Sequence, residues 1–342
     1  MRCVLPILSQ WNYVIKNNGV KNTNEVIASG HNTVYTLKLT DKRRYMNILI
    51  TGASGFIGRQ LVERLAPHHQ LTLVTRSVSQ TQKFLGHQHH YLTSLDELSH
   101  LNHIDAIVNL AGEPIVAKRW SKAQKQRICD SRWDITAKLT QLIKQSANPP
   151  KVMVSGSAVG YYGRHDDQLL DETSAAHAEF SHDICQKWEK AAQEASSEQT
   201  RVCIIRTGIV LGKGGALDKM LPPFKLGLGG PIGHGRQGMS WIHVSDLVSL
   251  IQFLLTQEHC QGVFNATAPH PVSNAVFAKA LGKALNRPAL ITTPPLALRL
   301  AMGEMSQLLT EGQFVIPKHA LEAGFKFQFN ELEPALIDVV SS

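Results

Sequence analysis

Asn47-Ile-Leu-Ile-Thr-Gly-Ala-Ser-Gly-Phe-Ile-Gly58 decides the fold. An apolar run, predicted as a strand over 47–53, leads into glycines spaced Gly52-x-x-Gly55-x-x-Gly58, and these open a helix predicted over 56–66. Glycines let the backbone turn tightly and approach a pyrophosphate, which then rests on the free amides of the helix N-terminus. A bare glycine triplet is also an ordinary strand-helix turn. The strand before it, the helix after it and its place at the head of a domain make this one specific.

Outward from that turn, short β-branched runs alternate with helical patterns, the rhythm of βαβ units around a parallel sheet. Strands are predicted at 70–75, 104–111, 151–158 and 201–211, apolar on both faces as strands covered by helices on either side must be. Helices are predicted over 121–146 and 179–195, separated by a polar, acidic connection at 163–178 that is long enough to be a lid or a surface loop. After Leu211 the texture turns to glycine, in GKGGAL and GLGGPIGHGRQG, either to wrap a ligand or to link two lobes. Beyond lie SWIHV, a helix over 246–256 with Ser245 as its expected cap, a strand at 263–268, a helix over 273–286 and a Pro-punctuated helical tail. The fold class is α/β: a Rossmann-type doubly wound parallel sheet over 46–212 and a smaller α/β substrate lobe over 213–342, with some strands returning to the main sheet.

The chain has 342 residues and a net charge of +8. Residues 1–45 hold seven Lys/Arg against two acids, so most of the excess sits ahead of Met46 and the body is nearly balanced. That distribution argues against a nucleic-acid binder. Met46 reads as a natural start, and 1–45 as a weakly patterned upstream extension outside the working protein, with an organelle-targeting leader as the rival. Five cysteines (3, 129, 185, 203 and 260), with no C-x-x-C pair, point to a reducing compartment, read as cytoplasmic, without structural zinc. No apolar stretch is long enough for a membrane span. Seven histidines between 68 and 103 follow no metal-ligand spacing and read as a polar surface, so no metal is expected.

About twenty residues past the glycines, the second strand ends in Val74-Thr75-Arg76-Ser77. An NAD site would place a carboxylate there, whereas arginine suits a 2′-phosphate, so NADP(H) is the expected cofactor. Asn109-Leu-Ala-Gly112, GSAVGYYG (156–163) and Trp241-Ile-His-Val-Ser-Asp246, with this turn, resemble the extended short-chain dehydrogenase/reductase superfamily. AGEPI (111–115), KRW (118–120), DSR (130–132), KWE (187–189), RTGIVLG (206–212) and EGQFVIPKHALEAGFKF (311–327) narrow the resemblance to the sugar-nucleotide-epimerase-like "epimerase family protein" branch with its own C-terminal domain. The resemblance implies NADP(H) contacts from Gly52, Ser54, Gly55, Phe56, Ile57 and Gly58. It also implies contacts from Thr75 and Arg76, from Leu110, Ala111 and Gly112, from Arg132 on the following helix and from Val210.

The superfamily's acid-base pair, Tyr-x-x-x-Lys on a helix, is missing: none of the six tyrosines has Lys four residues on. Aligned by Glu189, the helix FSHDICQKWEKAA puts Ser181 and Cys185 near those positions. The candidate replacements are Ser157, where the substrate-polarising hydroxyl belongs, then Tyr161, Tyr162 and Cys185, each of the last three also readable as structure. Met239 stands where sugar-nucleotide enzymes often place a diphosphate-binding arginine, which counts against that substrate class. His243 and Asp246 read as structural, the aspartate by favouring a helix N-terminus. The expected protein is an NADP(H)-dependent oxidoreductase or epimerase acting on a small hydroxyl/carbonyl substrate as monomer or homodimer, with a catalytically weak NADP(H) sensor as the alternative.

Overall fold

The predicted strands carry apolar residues at odd and even positions alike, and a computed structural model shows where the two sets go. It describes residues 12–18, 23–30, 33–40, 45–165 and 167–341. The N-terminal unit, read from sequence as weakly patterned, has three antiparallel strands, β1 (Asn12–Asn18), β2 (Thr23–Gly30) and β3 (Thr33–Thr40). Its runs of Val, Ile and Thr broken by Asn and Gly are a strand-and-turn pattern that a reading by charge passes over.

Residues 46–342 form a second compact unit. Its elements begin with β4 (Asn47–Thr51), α1 (Phe56–Leu65), β5 (Gln70–Val74), α2 (Val78–Leu85), β6 (His90–Leu92), β7 (Ala106–Asn109), α3 (Lys122–Lys144) and β8 (Val152–Ala158). There follow β9 (Leu169–Leu170), α4 (Phe180–Gln193), β10 (Arg201–Thr207), β11 (Ile209–Leu211), α5 (Ala216–Lys225), β12 (Gly238–Met239), β13 (Trp241–His243), α6 (Val244–Thr256) and β14 (Gly262–Ala266). The chain closes with β15 (Val272–Ser273), α7 (Asn274–Ala284), α8 (Pro295–Met302), α9 (Gln307–Thr310), β16 (Phe314–Val315), α10 (Lys318–Glu322) and α11 (Leu332–Ser341). Seven strands form one parallel sheet in the order β6-β5-β4-β7-β8-β10-β14.

Alternation along each strand sends Ile48, Ile50, Val108, Val154 and Ile205 to one face, against Leu61 and Leu65 of α1 and Leu247, Ile251 and Leu254 of α6. Leu49, Ile107, Met153, Val202 and Ile204 face the other way, against Leu139, Leu142 and Ile143 of α3 and Ala192 of α4. This is the Rossmann-type sheet expected, with helices on both faces. The strand order reverses between β4 and β7, so a crevice opens at their carboxyl ends.

Three details differ from the reading of the sequence. The run 201–211 is two strands: it breaks at Gly208, whose bare Cα lets Ser240 approach (a Cβ would lie 2.5 Å from its carbonyl oxygen), and β11 leaves the main sheet to pair with β13. The cap of α6 is His243, whose Nδ1 accepts from the Ser245 amide at 3.2 Å, and not Ser245. Asp246 instead accepts from the amides of Gln328 and Phe329 (2.8 and 2.9 Å) and so fastens the C-terminal segment. The connection 163–178 is anchored: β9 pairs with β16, and Glu172 accepts from the amides of Asn265 and His319 (2.9 and 3.2 Å). The glycines after Leu211 make room for rings, Gly212 and Gly215 for Phe56 and Gly229 for Phe224. A second core, around Trp241, Phe277, Leu281 and Leu336, holds the C-terminal lobe.

Candidate functional site

The glycine turn has the backbone its spacing implies. Gly52 has φ +73°, and a Cβ on it would lie 2.6 Å from Leu110 C and O, so only glycine lets the end of β4 pass the end of β7. A Cβ at Gly58 would overlap Gly52 O and come within 2.7 Å of Ala53 Cα. At Gly55, the extended N-cap of α1, a Cβ would meet only Gly52 O, at 3.2 Å, and no side chain caps the helix. Ser54 and Gly55 are exposed, Phe56 and Ile57 half-buried, and the first turn of α1 carries no acid. The turn thus presents free amides and a helix dipole to the crevice, which fits an anionic diphosphate.

At the end of β5, Thr75 is buried, with Oγ1 2.7 Å from Thr81 Oγ1, tying the strand to α2. Arg76 next to it is exposed and makes no hydrogen bond or ion pair with the described residues. Thr75 therefore fixes the strand end, and Arg76 is the group free to meet a ligand.

Beyond β7, Leu110 and Ala111 are half-buried and Gly112 is exposed. Thr51 Oγ1 donates to Asn109 Oδ1 at 2.7 Å, and Asn109 Nδ2 donates to Thr136 Oγ1 at 2.8 Å, locking β4, β7 and α3 together below the crevice. One turn earlier on α3, Arg132 lays its guanidinium against Gly112, where a Cβ would be 2.9 Å from Cζ. Its Nη1 donates to the carbonyls of Glu113 and Ile128, both at 3.0 Å, and no described carboxylate pairs with it. Burial works against its charge and lowers its pKa, although a guanidinium stays protonated. A half-buried cation with no carboxylate partner among the described residues, its Nη1 reaching only carbonyls and the Ser131 hydroxyl, suits an anion. Val210 packs in the main core with 9% exposure, as ordinary strand-end packing does.

The candidate proton groups meet in one buried network. Ser157 Oγ donates to Glu189 Oε1 at 2.6 Å. Arg206 grips the same carboxylate, Nε to Oε1 at 2.9 Å and Nη2 to Oε2 at 2.8 Å, and gives Nη1 to Tyr162 OH at 3.1 Å. Burial opposes the Arg206 charge, but its bonds to Glu189 outweigh that and raise its pKa overall. Tyr162 is fully buried and donates to Asn265 Oδ1 at 2.7 Å; burial pushes its phenol up to about 12. As a catalytic candidate Tyr162 is therefore corrected, because its hydroxyl is committed to protein on both sides and out of reach of substrate. Cys185 is corrected too: burial pushes its thiol up to about 11, and Sγ faces Ala158 O at 3.7 Å. Ser181 gives its proton to Glu179 Oε1 at 2.6 Å. Tyr161 differs. It is half-buried, its ring lies 3.3 Å beneath Arg206 Cζ, and its hydroxyl bonds to none of the described residues.

With that geometry in view, residues 48–266 match the NAD dependent epimerase/dehydratase family and residues 293–339 a domain of unknown function, DUF1731. The chain belongs to the NAD dependent epimerase/dehydratase family. Within reach of this family member are the chloroplastic SDR39U1 homolog of Arabidopsis thaliana, described as an epimerase family protein and 41% identical over 305 residues (87% of each chain), and mouse SDR39U1, 39% identical over 302 residues (86% of this chain, 100% of that one). The crystal structure of human SDR39U1 (isoform 2) with NADPH superposes with a TM-score of 0.80 at 38% identity, covering 87% of this chain and 100% of that one. The UDP-glucuronic acid 4-epimerase of Bacillus cereus, solved with NAD, has a TM-score of 0.67 at 16% identity and shares the fold alone.

For this epimerase-family chain, no helix among the described residues is long and apolar enough to cross a membrane. No group of three metal-ligating side chains is assembled among them either. Sequence reasoning used Glu189 only as an alignment anchor and passed over Arg206, Asn265 and Glu172. The one sequence-level signal was that Arg206 sits inside an otherwise apolar strand, where a charge requires a buried partner.

Proposed function

We propose that this chain binds NADP(H) across the carboxyl ends of β4, β5 and β7 and uses it on a small substrate carrying a hydroxyl or carbonyl. The observation that carries the reading is Arg76, an exposed, unpartnered guanidinium at the end of β5, where a 2′-phosphate belongs. The amides that follow Gly55, in the first turn of α1, hold the diphosphate, and Arg132 adds a cation from α3. When bound, the cofactor supplies or accepts a hydride. Tyr161 supplies or takes the matching proton at the substrate oxygen, with Arg206 fixing its ring, while Ser157, Glu189 and Arg206 hold the strand ends that shape the crevice. Among the described residues, Cys129, Cys185, Cys203 and Cys260 are free and buried, which supports a reducing compartment such as the cytoplasm.

Arg76→Ala tests the cofactor. Losing a charge-assisted contact of about 1.5–3 kcal/mol weakens NADPH about ten- to hundredfold, whereas NADH binding, followed by the same fluorescence titration, stays within about threefold by this reasoning. Equal losses would overturn the 2′-phosphate site. The second reading, an NADP(H)-binding protein with little turnover, is favoured by Ser157 giving its proton to Glu189 in place of substrate. NADPH oxidation with a carbonyl panel that disappears in Tyr161→Phe supports the enzyme, whereas oxidation unchanged by that substitution removes Tyr161 from its role.

A further inference from the structure

Helix α8 is apolar along most of its length, PLALRLAM, yet none of its residues is buried; Leu296 and Leu300 are 68% and 72% exposed. Exposing such a surface is unfavourable unless a ligand or partner covers it. Beside it lies a cleft of about 810 Å³, walled by Leu296 and Leu300 on the apolar side and by Arg299, Gln307 and the carboxylates Glu304 and Glu311 on the polar side. That volume is in the range of small-molecule sites.

The charges around the cleft are unequal in their pairing. Lys125 on α3 bonds Glu304 at 2.5 Å, and Arg164, just past the Tyr161–Gly163 turn, faces Glu311 at 3.7 Å. These pairs and a hydrogen bond from Gln313 Nε2 to Gly163 O fasten the segment 304–313 to α3 and to the loop that follows β8. Arg299, within the cleft, makes no side-chain hydrogen bond or ion pair with the described residues, and neither does Arg119 of the β7 loop. The Arg119 guanidinium lies against Gly303 in the cleft wall, where a Cβ would be 3.0 Å from Nη2. Two unpaired guanidinium groups beside an apolar wall call for a ligand with an anionic head and an apolar body.

We infer that the cleft between α8 and α9 binds an anionic amphiphile, a carboxylate with an extended apolar chain, with Arg299 and Arg119 on the head and Leu296 and Leu300 on the chain. As the substrate subsite of the site described above, it rests on the NADP(H) reading; as a binding site it stands apart from it. The test titrates the full-length protein with dodecanoate and with dodecanol by calorimetry, alongside an NADPH thermal-shift assay. The expected result is saturable dodecanoate binding at least tenfold tighter than dodecanol. Arg119→Ala/Arg299→Ala should weaken it at least tenfold, and Leu300→Ser should weaken both probes, with the NADPH shift retained in each variant as proof of an intact fold and cofactor site. No saturable binding, equal affinity for the two probes, or an unchanged double variant overturns the inference. So does a Leu300→Ser protein that dissociates from dimer to monomer in sedimentation, because a second copy would then be what covers α8. Loss of the NADPH shift in the unmutated protein counts against the cofactor reading alone.

Discussion

Arg206→Leu is the sharpest test of how the crevice is held. Arg206 and Glu189 are 3% and 8% exposed and share two parallel bonds of 2.9 and 2.8 Å. Removing the guanidinium leaves the Glu189 carboxylate buried with Ser157 as its hydrogen-bond donor, and frees Tyr162 from its Nη1 contact. Breaking such a pair costs about 3–5 kcal/mol, because the remaining charge has no solvent and no counter-charge. At about 2 cal/mol/K of unfolding entropy per residue, a unit the size of residues 46–342 loses on the order of 5–8 °C in Tm. Replacing both members by leucine removes the orphaned charge and recovers most of the loss. The assay is thermal unfolding by circular dichroism, with denaturant midpoints for the single variants and the double. Single variants within about 1 kcal/mol of the parent, or a double variant whose loss equals the sum of the singles, would refute the reasoning, since it requires the two side chains to be strongly coupled.

Three further outcomes are expected. Gly58→Ala forces a methyl onto Gly52 O and Ala53 Cα, so it should destabilise by about 1–3 kcal/mol and abolish the NADPH thermal shift; an unchanged shift would show that the turn has room to give. Gln124 is 2% exposed with both amide atoms unbonded, so Gln124→Leu should raise the denaturant midpoint by the equivalent of about 1–3 kcal/mol, and a lowered midpoint would argue against an unsatisfied amide. Burial raises the Glu172 pKa, and Oε2 has no partner, so this group's contribution to stability is full below its unfolded pKa and is lost as pH rises through the folded value. Glu172→Gln should therefore flatten the fall in Tm as pH rises above about 4.5, where the unperturbed carboxyl titrates; an equally steep fall would assign the loss to another group.

Some of the site was legible because its physics is local. The spacing of Gly52, Gly55 and Gly58 requires only that neighbouring backbone pass close, and each overlap a Cβ would cause lies within the turn or at the next strand end. The position of Arg76 was legible for the same reason, two residues past the end of β5. Tyr162 and Cys185 misled because reactivity depends on exposure. Tyr161 and Tyr162 are adjacent and alike in sequence, but the turn at 159–161 leaves one ring half-buried and the other fully buried.

By itself, the sequence determined the doubly wound sheet: continuous apolar runs fill both faces of each strand, and glycines open the first helix. Only the tertiary structure decided what each polar group does. Ser157 bonds Glu189 across 32 residues, and Tyr162 bonds Asn265 across 103. Whether a hydroxyl is spent on protein or left for a substrate depends on partners that distant, which the sheet brings together and no local pattern records.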